Sequence, residues 1–371
     1  MKSIHNDQSI GLINPERLEL IPNEFKNAHE FCFYLHDQIA HLLIEYEASG
    51  AHDLVANAFK KALGKKKYSN KDIDIFQLMK EKGLVKQYKH HIVSHLVLGL
   101  IKDMLQFLYE ALMCFEKRKF TVGFALLRKP LKENLLFLCW ILSDQDDFIT
   151  RFESNNYRSL NGLKKPQQLD IISGAIDTLR VQNAFSAEII HEIIFSKIND
   201  IGFEPTWQRA SHLITSQGEL LKTEDYNINF IFHDPQLDYL YELLYSNLPL
   251  ILIFTVQVVL ECVANILKMN EHTVSYLILT TIGCYQAMFG DGRKQSILKF
   301  LNKHLSSFLK CTHCGSSLKI DRVNASKMFL QEQIPCKSCG LMSEFPLYWI
   351  VSVTNMKIVR DSSTIPLLKR E

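Results

Sequence analysis

The sequence predicts a mainly α-helical protein, a multi-helix bundle followed by a small C-terminal β domain. Two observations lead to this prediction. Long segments with apolar residues at helical spacing, of which residues 91–119 are the clearest, follow one another with short connections. From Lys310 the pattern changes to short β-like runs, and residues 348–359 predict a C-terminal strand. We therefore place a domain boundary near residue 310.

The length of 371 residues exceeds one typical domain and allows a large core without disulfides. We predict a helical domain over residues 1–309, with a further boundary near 155–165, and a second domain over residues 310–371. Hydrophobic residues make up 47% and charged residues 22% of the chain, which is ordinary for a folded protein. The net charge of +2 is too small to predict nucleic-acid binding by the whole surface.

The apolar segments and cysteines predict a cytoplasmic protein without a membrane segment. Residues 1–11 are polar and lack the apolar stretch of a signal peptide. Residues 248–260 are the longest apolar stretch, but they fall short of the roughly 20 residues of a membrane span and predict a buried helix. Five of the nine cysteines lie singly in apolar stretches, which favours free thiols in a reducing compartment.

Each predicted helix rests on apolar periodicity and on signals at its ends. Pro130 predicts a kink or break within its segment, and Asp144 is suited to cap the helix that follows it. Pro249 predicts a bend or an interruption in a later helix. The predicted helices span residues 23–46, 53–63, 72–82, 91–119, 120–143, 144–153, 166–180, 187–197, 204–217, 237–269, 273–289 and 293–309.

Four cysteines near the C-terminus form two C-x-x-C pairs. Each pair is followed by a glycine, Gly315 or Gly340, and 21 residues separate the pairs. Two residues between cysteines let one tight turn present both sulfurs to one ion, and the glycine suits a turn position with positive φ. Residues 319–323 and 328–334 should form a hairpin that brings the turns together. The metal ligands predicted in this way are Cys311, Cys314, Cys336 and Cys339.

Over residues 308–355 this pattern resembles the zinc-ribbon family. The resemblance implies one structural zinc ion in a closed shell of four thiolates, with no open position for water or substrate. The alternatives are two disulfides or a redox pair. His313 is interpreted as an exposed turn residue because four thiolates already complete the shell. Zinc ribbons bind nucleic acid, bind proteins or only stabilise a chain end, and the resemblance does not choose among these roles.

Lysines form two basic regions. Residues 60–91 contain ten lysines and three acidic residues, a net charge of +7, and include Lys65, Lys66 and Lys67 in a polar loop. In the helix before the paired cysteines, Lys299 and Lys303 lie opposite an apolar stripe. Either region is suited to phosphate backbones, and either also fits an ordinary solvated surface.

Polar residues inside apolar helices give a second candidate site. Gln257 and Glu261 are four residues apart on one helix, and Arg128 and Glu133 interrupt another apolar segment. A buried carboxylate needs a partner or a proton, so we expect Glu261 to pair with Arg128. The group is either a ligand or catalytic site or a satisfied structural network.

Motif searches give no reaction class. The chain has no P-loop, no G-x-G-x-x-G and no G-x-S-x-G. The helical body contains Arg128 and Glu133 on one helix, the run Trp140-Ile141-Leu142, and the acidic turn of Asp144, Asp146 and Asp147. In these residues it resembles bacterial helical proteins with no assigned function, and this resemblance carries no activity to transfer.

Three hypotheses follow for the function. The first is a factor that binds nucleic acid or another protein through its basic surfaces, with a structural zinc. The second is an enzyme whose site lies among the helices around Arg128, Glu133 and Glu261. The third is a structural subunit in which the zinc segment caps the bundle. Burial of that segment against the helices would favour the third hypothesis.

Overall fold

The computed structural model describes residues 9–50, 57, 61, 79, 81–154, 162–199, 201–211, 238–290 and 296–358. Within these residues the protein is mainly helical, with one two-stranded antiparallel sheet near the C-terminus, and this confirms the predicted fold class. The helices predicted over residues 53–63 and 72–82 fall almost wholly outside the described residues, as does most of the predicted boundary at 155–165.

The first half of the chain is built from six described helices that reproduce the predicted order. A short 3₁₀ helix, Pro15–Leu18, precedes them. Asp144 caps the fifth of them as predicted, because its Oδ1 accepts a hydrogen bond from the amide of Asp147 at 2.9 Å. The helices are α1 (Asn23–Ala48), α2 (Val85–Glu116), α3 (Phe120–Arg128), α4 (Leu135–Ser143), α5 (Gln145–Glu153) and α6 (Lys165–Thr178).

The second half adds further helices and the small sheet. Strand β1 pairs with β2 in the register Ile334 opposite Ser343. The elements are α7 (Ala187–Phe195), α8 (Phe203–Ser211), α9 (Asp238–Ile266), α10 (Glu271–Ile278), α11 (Cys284–Phe289), α12 (Ser296–His304), α13 (Ala325–Gln331), β1 (Gln333–Pro335), β2 (Met342–Glu344) and α14 (Leu347–Val353).

Helix α9 is the central helix of the bundle and packs against α1 and α4. Every residue from 247 to 260 is buried, which confirms the buried helix predicted for 248–260. A helix that is apolar on all sides needs neighbours on all sides, and this places it in the middle of the core. Pro249 lies inside the helix, which continues to Ile266.

Two described helices, α2 and α9, are long and apolar enough to cross a membrane when only length and composition are considered. Of the apolar stretch that meets this criterion, 83% is buried inside the protein in α9 and 44% in α2. Core helices of globular proteins meet the same criterion when their apolar surface is covered by other helices. The absence of a membrane segment stays a prediction.

Pro130 does not break its helix. The chain passes from α3 to α4 through a π-helical turn, Lys129–Asn134, in which the amide of Leu135 bonds to the carbonyl of Pro130. A proline lacks the amide of a normal helical bond and clashes with the carbonyl four residues earlier, and the wider π turn accommodates both effects. A second π turn, Leu279–Gly283, joins α10 to α11.

Two predictions for the C-terminal region are wrong. We predicted a strand at residues 348–359. In the described part of this range the chain forms helix α14, Leu347–Val353. Leu347, Ile350 and Val351 are buried, and their spacing is that of one helix face. The hairpin predicted over residues 319–334 is replaced by helix α13, and the sheet forms from β1 and β2 on either side of the second cysteine pair.

The hydrophobic core runs without interruption through the predicted boundary at residue 310. One cluster of buried side chains extends from Ile10 to Val351 and includes Leu318, Phe329 and Phe345 of the C-terminal region. Helix α14 packs against α10, and α13 packs against α11. The C-terminal region therefore shares its core with the helices, and its status as a separate domain stays a prediction.

Candidate metal centre

Two turns with the same backbone hydrogen bonds carry the four cysteines. In the first turn the amide of Gly315 donates to the carbonyl of Cys311 at 2.9 Å, and the amide of Cys311 donates to the carbonyl of Ser316 at 2.8 Å. The second cysteine pair forms the same two backbone hydrogen bonds, with Gly340 in the place of Gly315 and Cys336 in the place of Cys311. The repeated pattern follows from the repeated sequence, because each C-x-x-C-G segment closes on its own first cysteine.

The glycines adopt the predicted positive φ, +72° at Gly315 and +76° at Gly340. A Cβ built at either position meets no atom within 4 Å, so crowding does not select these glycines. The requirement comes from the backbone, since the left-handed region costs a residue with a side chain roughly 1 kcal/mol or more.

The four sulfurs converge on one point. All four Sγ atoms lie within 4.8 Å of one another. Two contacts cross between the turns at 3.7 Å, one from Cys311 to Cys339 and one from Cys314 to Cys336. A tetrahedral ion with metal–sulfur bonds of about 2.3 Å places its sulfurs about 3.8 Å apart, which these distances match. A disulfide requires about 2.0 Å, and all four thiols are free. These four cysteines can hold one metal ion.

The surroundings of two sulfurs, those of Cys314 and Cys336, favour the thiolate form that metals bind, whereas those of Cys339 disfavour it. The hydroxyl of Ser316 lies 3.3 Å from Sγ of Cys314, and the hydrogen bonds from Ser316 lower the pKa of Cys314 to about 6. The backbone amides of Cys339 and Ser338 lower the pKa of Cys336. At Cys339 the amide of Leu341 lowers the pKa, but burial and the hydrogen bonds with the other three thiols outweigh it and raise the pKa to about 11. Since a thiolate is the ligand for soft metal ions, a bound ion has to displace the proton of Cys339, and metal binding releases protons.

The centre lies at the surface, with one half of it covered. Cys311 and Cys336, the first cysteine of each turn, are buried, whereas Cys314 and Cys339 are exposed. Four thiolates fill the tetrahedral shell, so an ion held there has no free position for water or substrate. A centre of this composition is suited to stabilising structure.

Two hydrogen bonds join the first turn to strand β2. The amide of Thr312 donates to Oγ of Ser343 at 3.0 Å, and Nε2 of His313 lies 2.9 Å from the carbonyl oxygen of Met342. His313 is exposed, as predicted; its imidazole contacts strand β2, and its backbone amide donates to Sγ of Cys311 at 3.4 Å. Local spacing does not predict the contact of the imidazole with Met342, because the two residues lie 29 positions apart in the sequence.

The C-terminal module, which we define as residues 310–358, is fixed to the helical body at several points. Asn302 of α12 donates from Nδ2 to the carbonyl of Ile320 at 2.7 Å and accepts from the amide of Ile320 at 2.9 Å. Gln331 of α13 donates to the carbonyl of Ile10 at 3.0 Å. The module thus contacts both the helix before it and the N-terminal segment of the chain.

Glu332 ties the module to α10. Its Oε1 accepts from the hydroxyl of Tyr276 at 3.2 Å and from the amide of Tyr348 at 3.1 Å. The backbone of Glu332 is left-handed, with φ of 54°, at the point where α13 ends and β1 begins. The two bonds and the left-handed turn together set the direction in which the chain returns to the second cysteine pair.

The predicted pairing of Glu261 with Arg128 is wrong. Glu261 pairs with Arg180, just after α6, with 3.4 Å between Oε1 and Nε. Nε of Arg128 is buried and has no hydrogen-bond partner among the described residues. Glu133 is exposed, and Gln257 donates to the hydroxyl of Thr281 at 3.2 Å. These polar residues belong to separate local arrangements.

The basic residues divide into those that the structure describes and those that it does not. Lys65, Lys66 and Lys67 lie outside the described residues. Lys299 and Lys303 are exposed on α12, opposite the buried side chains of Leu301 and Leu305. The predicted orientation of α12 is therefore confirmed, with its apolar stripe on the core and its lysines on the surface.

A buried polar network that sequence analysis missed links four segments of the body. Nε2 of His29 lies 3.2 Å from Glu116, and Nδ1 lies 2.6 Å from the hydroxyl of Tyr245. Arg17 donates to both carboxylate oxygens of Glu116. Because a carboxylate only accepts, Nε2 of His29 carries the proton and Nδ1 accepts from Tyr245.

This is a structural network, and its surroundings set the ionisation of His29 and Glu116. Burial lowers the pKa of His29, so the ring is neutral at neutral pH. Burial raises the pKa of Glu116, but the hydrogen bonds from His29 and Arg17 outweigh it and hold that pKa below its ordinary value. The partners lie 87 to 216 residues apart in the sequence, and no local spacing signals them.

The carboxylate of Glu30 is a second feature without a sequence signal. It is fully buried and accepts from the amides of four consecutive residues at 2.6 to 3.1 Å. The hydroxyl of Ser9 adds a fifth donor at 2.8 Å. This carboxylate fixes residues 9–13, the segment that also contacts Gln331 of the module.

Comparisons with other proteins add no functional information, so the metal centre is the main functional feature. Of the zinc-ribbon pattern, the part observed is a cluster of four cysteines that can hold a metal ion. No protein-family model matches the chain, and neither curated proteins nor solved structures include a match to it.

Proposed function

We propose that the metal is zinc and that its role is structural. Four converging thiolates suit zinc, which binds them in a closed tetrahedron and has no redox chemistry of its own. The ion would be held by Cys311, Cys314, Cys336 and Cys339 and would join the two turns. The cross-turn sulfur distances of 3.7 Å support this proposal.

Metal analysis of the purified full-length protein by mass spectrometry tests this proposal. We expect one equivalent of zinc per chain, lost in Cys314→Ser and retained in Cys114→Ser, whose thiol lies outside the centre. Iron in place of zinc would contradict the identity of the metal. A folded module without any metal would contradict its structural role.

We further propose that the protein binds nucleic acid through the basic face of α12 and the start of the module. One observation carries this proposal: residues 296–320 contain four lysines and no acidic residue. Lys299, Lys303, Lys310 and Lys319 are all exposed. The next acidic residue, Asp321, bonds to Lys337 at 3.0 Å, so its charge is partly balanced. Phosphate groups are the complement of such a surface.

Fluorescence anisotropy with labelled DNA and RNA at several salt concentrations tests nucleic-acid binding. Affinity should fall as salt rises, with a slope near 0.9 per phosphate contact on duplex DNA. Lys299→Glu with Lys303→Glu should weaken binding and flatten that slope by about two. The matched control is Lys197→Glu with Lys268→Glu, two exposed lysines on the body. Equal binding by both double variants would contradict this surface.

A structural role alone is the second candidate, and the continuous core favours it. Buried side chains of the module belong to the same cluster as those of α9. If the module only caps the bundle, removal of the metal should lower the stability of the helices, and no nucleic acid should bind. Free single thiols and a thiolate centre support a cytoplasmic location, which we also propose.

A further inference from the structure

Helix α12 exposes an aromatic residue beside its lysines. The side chain of Phe300 is 46% exposed, and its ring lies 4.4 Å from that of His304, between centroids at 35°. The core side of this helix is already occupied by buried leucines at 298, 301 and 305. Phe300 therefore adds apolar surface that the core does not use, and it does so next to Lys299 and Lys303.

A second exposed ring comes from the module. Trp349 of α14 is 54% exposed, and its ring packs edge to face on Phe308 with centroids 6.0 Å apart. Phe308 lies two residues before the exposed Lys310, in the turn that follows α12. Phe308 packs against the core, whereas Phe300 and Trp349 stand outside it. Since more than half of the Trp349 side chain is exposed, indole surface is available to a flat partner.

We propose that this aromatic–lysine surface binds single-stranded nucleic acid, with bases stacked on Phe300 and Trp349 and phosphates beside Lys299, Lys303 and Lys310. The proposal rests on the proposed nucleic-acid binding and narrows it to one class of ligand. Exposed aromatic rings next to cations are how proteins bind single strands without sequence preference, because every base has a π face.

The same chemistry argues against a duplex as the preferred ligand. Paired bases already stack on one another, so a duplex offers the rings only its backbone and groove edges. The lysines would bind either form, whereas the rings add affinity only for unpaired bases. Stacking should therefore appear as a preference for single strands that depends on the two rings and changes little with salt.

Anisotropy with a labelled 20-nucleotide oligothymidine and a duplex of the same length tests this inference. We expect at least tenfold tighter binding of the single strand. Phe300→Ala and Trp349→Ala should each weaken single-strand binding about tenfold without changing the salt slope. Phe300→Tyr should retain the affinity, because it keeps a ring. The matched control is Tyr239→Ala, an aromatic residue 56% exposed on the body.

The outcomes separate the two proposals. Equal affinity for both forms, unchanged in Phe300→Ala, would overturn the stacking surface and leave nucleic-acid binding intact. No binding of either form would overturn both. Zinc content and helical circular dichroism, measured on each variant, distinguish a lost contact from a lost fold. Loss of single-strand binding in Tyr239→Ala at unchanged fold would also overturn the inference.

Discussion

The C-terminal module and the helical body are held together by different means. In the module, four sulfurs from two short turns meet within 4.8 Å, and the turns share the same local hydrogen bonds. In the body, order comes from apolar side chains that α9 brings together from the whole chain. The comparison shows that a local motif can specify a site, whereas a core needs distant segments to meet.

The two regions also differ in how they treat charged groups. The module brings together four thiols that can hold a neutralising ion, and it keeps Lys310, Lys319, Lys337 and Lys357 exposed. The body buries Glu30 and Glu116 and satisfies them with hydrogen bonds from distant partners. Loss of the ion should therefore affect the module first, and loss of one polar group should affect the body locally.

Removal of the metal should give the largest effect and should separate the two regions. Cys336→Ser leaves three thiolates, and structural zinc contributes on the order of 10 kcal/mol to the folding of small domains. We expect amides of residues 310–345 to exchange rapidly with deuterium, while those of α9 stay protected. Hydrogen exchange read by mass spectrometry gives both values, with Cys114→Ser as control. Full protection of the module in Cys336→Ser would contradict the comparison.

A cavity in the core should give the reverse pattern. Phe254 in α9 is fully buried, and its replacement by alanine should lower the free energy of unfolding by about 3–5 kcal/mol. Zinc content should not change, since the four cysteines lie outside α9. Urea unfolding and metal analysis measure the two quantities. Loss of zinc from folded Phe254→Ala would show that the centre depends on the core more than its local bonds suggest.

The His29 network should make the stability of the body depend on pH. Burial lowers the pKa of His29 from its ordinary 6.5, so below that pH the unfolded chain takes up a proton that the folded protein refuses. Stability should then fall on acidification from about pH 6.5, by up to about 1.4 kcal/mol per pH unit. The low pKa of Glu116 acts in the same direction, below its ordinary 4.5.

Urea unfolding between pH 7.5 and 5.5 measures this dependence. His29→Asn should be less stable at pH 7.5, because it leaves Glu116 with one donor fewer, and it should lose most of the slope. Metal release at low pH would add a slope of its own, and it would be the same in both proteins. An unchanged slope in His29→Asn would contradict the role of His29 and assign the pH dependence to other groups, such as the buried His191 or the metal centre.

The smallest effect should come from the glycine turns. Gly315→Ala places a side chain on a backbone with φ of +72°, in open space. The strain should be roughly 1 kcal/mol, which corresponds to a zinc affinity about five- to tenfold weaker. Competition with a chromophoric chelator measures this change. The matched control is Ser317→Ala, an exposed residue just after the same turn. An effect as large as that of Cys336→Ser would show that the backbone geometry of the turn, rather than the ion, orders the module.

Several parts of the structure followed from local patterns. Periodicity predicted the order of the described helices, and the cap at Asp144 and the buried helix at residues 248–260 were confirmed. The four cysteines and the positive φ of Gly315 and Gly340 also followed from spacing alone. These features depend on neighbours a few residues away, so a single sequence contains the information.

The errors fall where distant contacts outweigh local preference. Residues 347–353 are rich in β-forming side chains but form a helix, because Leu347, Ile350 and Val351 pack on the bundle at helical spacing. Glu261 pairs with Arg180 rather than Arg128, since helix packing decides which charges meet. Apolar runs also hide their partners, because many pairings of such helices bury similar areas.

The sequence by itself determined that the chain is helical, that its C-terminal segment can hold one metal ion, and that lysines line the helix before it. Only the tertiary structure decided that the module shares its core with the body, that His29, Glu116 and Tyr245 meet, and that Phe300 and Trp349 stay exposed. The physical reason is range: turns and helices are stabilised by nearby residues, whereas burial and pairing depend on which distant surfaces pack together.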